Sequence, residues 1–342
     1  MKLGALTAPL AGEPLVDVLG FLRDTVKVEM VEIGTGNHPP VAHCDIMAWN
    51  ADKVDGEAKK RQFIDTVQES GLQLSALSCH GNPVHPDELT ANEHGDRMKA
   101  TVEFAAQIRE ATGSPVVVCG FSGLPAGGKL DHVPNWVTAP WPNEHAAALE
   151  YQWEIVVNWW KEFHDSYLQP NKVPFAIEMH PNFLVHHPRS MVRLRKEAGT
   201  YVCCNFDPSH LFWRGAKPHR SVRWMADNDP FKGVKGAPPI IVHSHAKDTA
   251  VDQDNVEIHG CVDEGPYTQF PDRAWSFRTC GLGHGTEVWV PLLTEYRLVG
   301  YDLVLSLEHE DGLGQDRQAM VLAADFFRRI LLSLPPTKPT WV

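Results

Sequence analysis

Acidic and imidazole side chains close several of the apolar runs in this sequence. Glu178 and His180 end FAIEMH, Asp207 ends YVCCNFD, His243 and His245 end IIVHSH, and Glu308 ends LVLSLE. In extended chain, side chains two apart share a face, so Glu178 pairs with His180 and His243 with His245 on their own strands. If the four runs are neighbouring strands, Glu178, Asp207, His245 and Glu308 can be aimed at one point beyond the strand ends. Like charges gathered there are costly unless a cation joins them. Two or three carboxylates with one imidazole suit Mn²⁺, Mg²⁺ or Co²⁺, with positions left open for substrate oxygens. Zn²⁺ also fits, although no thiolate accompanies the set.

The elements that must hold these residues follow from periodicity. Eight short β-rich runs recur, at Lys2–Thr7, Val28–Ile33, Leu74–Cys79, Val116–Gly120, Val173–His180, Tyr201–Asp207, Ile240–His245 and Leu303–Glu308. Segments with helical spacing lie between them, clearest at Asn92–Ala111, Glu144–His164 and Gln315–Leu332. Strands alternating with helices predict parallel βαβ units, and near-continuous apolar strands are those buried on both faces. Eight units predict an α/β fold, a (β/α)8 TIM barrel filling residues 1–342 as a single domain. An open doubly wound sheet is disfavoured, because no Gly-rich dinucleotide fingerprint follows the first strand. Three long connections, Gly34–Gly56, Phe121–Asn143 and Lys247–Thr286, follow strand C-termini and are expected to rise over the C-terminal face. The last two are expected to close over the site.

Composition narrows the partner. The formal net charge is −12, from 31 basic and 43 acidic residues, which would repel nucleic acid and anionic membrane. A small-molecule partner is favoured. Gly12, Glu13, Pro14 and Asp17 interrupt the position of a secretory apolar core, and no run of 18 apolar residues occurs, so a cytoplasmic protein is expected. Seven Cys without CxxC spacing predict reduced thiols rather than disulfides or a thiolate metal site.

Other residues suit substrate contact. His180 shares the face of Glu178, His210 lies three residues past Asp207, and Arg278 could meet a substrate anion or carbonyl oxygen. Lys247 either touches substrate or pairs with its neighbour Asp248. Trp136 and Trp141, in the long connection after the fourth strand, could form a flat apolar platform for a sugar ring or an aglycone. FSGLPAGG (121–128) reads as a mobile loop. GLGHG (281–285) lacks a Walker lysine and reads as a flexible lid turn.

The segments AIEMHP (176–181), NFDPSHLFW (205–213), VHSHAKD (242–248), WSFRTCGLGHG (275–285) and SLEHED (306–311) resemble the xylose-isomerase-like TIM barrels, in particular the sugar phosphate isomerase/epimerase group. HGNPVHP (80–86) and WPNEH (141–145) resemble the same group more weakly. The resemblance implies one divalent cation, usually Mn²⁺, held by Glu178, Asp207, His245 and Glu308. It also implies that Glu178 and Glu308 double as the acid/base pair that moves a proton between adjacent sugar carbons. The chain is similar as well to the catalytic α subunit of bacterial C-glycoside deglycosidases, lyases that cleave the carbon link of a 3-oxo-C-glycoside. In that case His145 would be the general base. The ligand is then expected to be a sugar or glycoside, and the assembly a homo-oligomer, or a hetero-oligomer with a small β subunit. An apurinic-site endonuclease shares the barrel but needs a basic groove that this charge does not supply.

Overall fold

In the computed structural model, which describes residues 1–334, 337 and 341, eight parallel strands close into a barrel. They are β1 (Lys2–Leu6), β2 (Met30–Gly34), β3 (Gln73–Ser78), β4 (Val117–Gly120), β5 (Phe175–Glu178), β6 (Val202–Phe206), β7 (Ile241–Ala246) and β10 (Val304–Leu307). Two further strands, β8 (Asp248–Val251) and β9 (Trp275–Arg278), pair antiparallel outside the barrel. The barrel order is β1-β10-β7-β6-β5-β4-β3-β2, closed by register pairs from Lys2 with Val304 to Ala5 with Leu307. All eight predicted runs are barrel strands, and the predicted fold class holds. The helix Glu88–Thr112 covers Asn92–Ala111, Asn143–Phe163 matches Glu144–His164 to within a residue, and Asp316–Arg328 ends four residues short of the predicted Leu332.

Alternation along each strand divides the interior from the helical layer. On β5, Phe175 and Ile177 face outward into the main apolar core, whereas Ala176 joins a separate inner cluster with Ala76, Val117, Cys119, Cys203 and Val242. These small residues fill the barrel below its polar end, and Glu178, two residues past Ala176, rises above them. On β7 the register carries one extra residue, since Cys204 opposes Ile241 but Asn205 opposes His243. This bulge lets Val242 stay in the inner cluster while His243 and His245 also face the interior.

The connections are more ordered than their composition suggests. The expected mobile loop at 121–128 begins as packed chain: Phe121, Ser122, Leu124 and Ala126 are buried, and Asn82 clamps Leu124 through both backbone groups, at 3.0 and 2.7 Å. GLGHG is likewise pinned rather than flexible. Asp248 accepts hydrogen bonds from the backbone N–H groups of Gly281 (3.2 Å) and His284 (2.8 Å) and faces His284 Nδ1 at 2.8 Å. A Cβ at Gly283 would lie 2.9 Å from the Asp248 carboxyl carbon, so only glycine lets the turn come this close. The long segment after β7 is a built unit of β8, the helix Gln253–His259 and β9, with Trp213 stacked on Trp275 at 4.7 Å. All seven Cys are free thiols, as expected. Among the described residues no helix is long and apolar enough to cross a membrane.

Candidate metal and active site

Four successive strands of the barrel wall, β5, β6, β7 and β10, deliver Glu178, Asp207, His245 and Glu308 to one place. One ligand atom from each lies within 4.8 Å of all the others. His245 Nδ1 is 2.8 Å from Glu308 Oε2 and 3.5 Å from Glu178 Oε2. Asp207 Oδ1 accepts from the Ser209 N–H at 2.8 Å, which aims Oδ2 into the cluster. Asp207 Oδ2 and Glu308 Oε2 are buried oxygens that accept no well-aligned hydrogen bond. Unsatisfied buried carboxylate oxygens converging with an imidazole are the donor set of a hard divalent cation, and the residues fit one.

The surrounding charges decide the protonation of each group. Burial pushes the Glu178 carboxyl up, but hydrogen bonds from His210 (3.1 Å) and His80 (2.9 Å), together with nearby His245, outweigh it and hold Glu178 well below the usual carboxylate range. Burial lowers His245, yet the charges of Glu308 and Glu32 raise it well above the ordinary histidine value. The same carboxylates that favour a proton there would favour a cation. His210 is raised by Asp207 and Glu178 against its burial, whereas His180 is driven well below its usual value, first by burial and then by the charge of His210. Lys247 is buried, 3.5 Å from Glu308 and 2.8 Å from Glu310, and these acids keep it charged well above its ordinary range despite desolvation.

A cavity of about 310 Å³ opens onto this cluster. Glu178, His180, Lys247 and Glu308 line it together with His38, Pro39, Pro40, Pro9 and Phe121. Phe121 sits with its ring 4.6 Å from that of His80 and 4.8 Å from that of His180.

The sequence pattern of the xylose isomerase-like TIM barrel family matches residues 26–330. The chain belongs to that family. The uncharacterized Bacillus subtilis (strain 168) protein YfiH is 31% identical over 314 residues, covering 91% of this chain and 93% of YfiH. Solved structures that share the fold include the following two. The 3-keto-D-glucoside 4-epimerase YcjR from E. coli superposes with a TM-score of 0.62 at 12% identity, over 96% of this chain and 99% of that one. The IOLI protein, solved with a zinc atom bound, gives a TM-score of 0.62 at 16% identity, over 97% of this chain and 98% of that one.

In this xylose isomerase-like chain the barrel brings together seven of the sequence-derived site residues. Glu178, Asp207, His245 and Glu308 form the cluster, while His180, His210 and Lys247 surround it. Lys247 and Asp248 do not pair. Being adjacent on extended chain they point opposite ways, Lys247 to the cluster and Asp248 to the GLGHG turn. Four expected residues lie elsewhere. On β9 alternation turns Phe277 inward, where its ring packs 4.4 Å from Lys247 Nζ and 5.7 Å from His210. Arg278 therefore faces the other way, its Nε donating to Asp311 at 3.2 Å, and does not line the cavity. Trp136 is half-buried edge-on to His186 at 5.3 Å, and Trp141 is 79% exposed, so neither forms a platform at the cavity. Phe121 supplies the aromatic wall in their place. His145 is exposed on the first turn of the helix Asn143–Phe163 and does not line the cavity. Replacing Trp141 or His145 by Ala is accordingly expected to leave turnover unchanged and stability within about 0.5 kcal/mol, measured by denaturant unfolding.

Sequence reading missed Glu32 and His80 as parts of the site, and Phe121 as its aromatic wall. His80 follows the apolar run of β3 directly, the same position after a strand that singled out the others. Glu32 carried a weaker signal, one carboxylate inside the otherwise apolar MVEIG of β2.

Proposed function

We propose that this chain is a divalent-metal-dependent enzyme, most simply a carbohydrate isomerase or epimerase, that moves a proton on a carbon next to the carbonyl of a sugar or sugar derivative. The observation that carries this reading is the convergence of Glu178, Asp207, His245 and Glu308 beside a cavity that Glu178 and Glu308 line and that is large enough for one sugar ring. The activity named for YcjR, on a 3-keto-D-glucoside, belongs to the same reaction class. A divalent ion, Mn²⁺ by preference with Mg²⁺, Co²⁺ or Zn²⁺ as alternatives, would be held by these four residues and would polarise a substrate carbonyl.

The residues divide the remaining work. Glu308 reaches the cavity and accepts the proton, since its Oε2 accepts no well-aligned hydrogen bond. Glu178, fixed on one oxygen by His80 and on the other by His210, stands opposite as the second carboxylate. His210, beside Asp207 and Glu178, and the cation of Lys247, beside Glu308, are placed to hold substrate hydroxyl or carbonyl oxygens. Phe121 and Phe277 shield the site from water. The alternative, cleavage of a 3-oxo-C-glycoside with His145 as base and a small β subunit, is less well supported because His145 lies outside the cavity.

The test is solvent exchange. Protein stripped of metal and reloaded with Mn²⁺ is incubated in D₂O with a panel of keto sugars and 3-keto glycosides, and deuterium at the carbon next to the carbonyl is read by NMR. Metal-dependent incorporation is expected. Exchange on no member of the panel would sink the proposal, and cleavage of a 3-oxo-C-glycoside without exchange into recovered sugar would favour the lyase.

A further inference from the structure

Beneath the four-residue cluster, inside the barrel, a fifth carboxylate is wholly buried. Glu32 on β2 accepts from Ser78 Oγ, and His245 Nε2 lies 3.2 Å away at the same oxygen, Oε1. Its Oε2 accepts from Ser306 Oγ at 2.7 Å and lies 3.4 Å from His243 Nε2. The side chain is 0% exposed above a layer of Ala76, Val117, Cys119, Ala176, Cys203 and Val242. A carboxylate in such a place is costly unless it is paired, and apolar residues would fill the space at less expense in desolvation. The pairing it makes is specific.

An imidazole ring offers two nitrogens, and the one that meets a cation must carry a free lone pair. In His245, Nδ1 faces Glu308 and Glu178, and Nε2 faces Glu32. Among the described residues the other polar side chain that hydrogen-bonds the ring is Asn205, whose Nδ2 lies 3.1 Å from Nδ1 and 3.2 Å from Nε2 and so does not select between them. Selection falls to Glu32. We infer that Glu32 is a positioning residue for the metal site: by accepting the Nε2 proton of His245, it turns the Nδ1 lone pair toward Glu178, Asp207 and Glu308, forming a carboxylate–imidazole–cation relay. Ser78 and Ser306, one on each oxygen, hold the carboxylate in the plane this requires. The inference rests on the reading that the cluster binds a divalent ion.

The experiment titrates Mn²⁺ into metal-stripped protein, unaltered and Glu32→Gln, by calorimetry, and records melting temperatures with and without Mn²⁺. Gln keeps the shape but loses the charge. Mn²⁺ binding is expected to weaken by about 10–100-fold. The ion-free melting temperature is expected to hold or rise, and the increment that Mn²⁺ adds to shrink. A purely structural Glu32 would instead lower both melting temperatures together and leave the Mn²⁺ affinity alone, which overturns the inference. Failure of the unaltered protein to bind Mn²⁺ would overturn the reading of the cluster and this inference with it. If Glu32→Gln does not fold, the unaltered protein loaded with Zn²⁺ and labelled with ¹⁵N-histidine decides the matter. His245 is expected as the Nε2–H tautomer, and a proton on Nδ1 overturns the inference.

Discussion

Glu308→Gln is expected to lower the rate of substrate proton exchange by a factor on the order of 10²–10⁴ while the fold stays intact. Gln has the shape of Glu but cannot accept a proton, and the neighbouring Lys247, 3.5 Å from Glu308, is already a cation and cannot take over. Glu178→Gln is predicted to differ in kind. Both Glu178 oxygens are engaged by histidines, so its loss also frees His80 and His210 and disturbs substrate affinity together with rate. The measurement is kcat and KM for exchange in both variants, with bound metal quantified, because either change removes a ligand. A Glu308→Gln protein that loads metal and exchanges at full rate would remove Glu308 from the acid/base role.

The largest loss of stability is expected at Arg195, far from this chemistry. Its guanidinium is fully buried and donates to Asp229 (2.8 Å) and to the backbone carbonyls of Thr200 (2.6 Å), Val202 (2.9 Å) and Pro238 (2.7 Å). One side chain thus ties the helix Pro188–Ala198 to the start of β6 and to the segment that leads into β7. Arg195→Met keeps most of the volume but leaves a carboxylate and three carbonyls without their donor. Removing one partner of a buried pair costs about 3–5 kcal/mol. Chemical denaturation measures it, and a loss below about 1 kcal/mol would mean that the freed groups are rehydrated.

The strands and the cluster were legible because both depend on local pattern. An apolar run ending in an acid or histidine reads the same from either direction, and parity on a strand settles which neighbours share a face. That brought Glu178, Asp207 and Glu308 to one end of the barrel, while His243 and His245 share a face and only the family resemblance chose His245 between them. Arg278 was read from residue type alone, and β9 belongs to a hairpin outside the barrel, whose inward face is fixed by where Phe277 packs. Trp136 and Trp141 were read from composition alone, which says that a loop has apolar surface but not where it docks. Glu32 was missed for a different reason. Its partners Ser78, His245 and Ser306 lie 46, 213 and 274 residues away, and no spacing along the chain reports them.

The barrel closes by pairing β1 with β10, and Met1 meets Asp302 across 301 residues of chain. Loop-closure entropy on the (3/2)RT ln n scaling makes that step cost about 2 kcal/mol more than joining strands some 30 residues apart. Neighbouring βα units therefore have the advantage, and β10 is the natural latecomer. It carries Glu308, and its Ser306 completes the grip on Glu32. During synthesis on the ribosome, a nascent chain can hold Glu178, Asp207 and His245 in a partly wound sheet while the fourth carboxylate is still unmade. Convergence of the four side chains thus marks the end of folding, and a chain stopped before Val304 would be left with a three-residue remnant on an unsealed sheet edge.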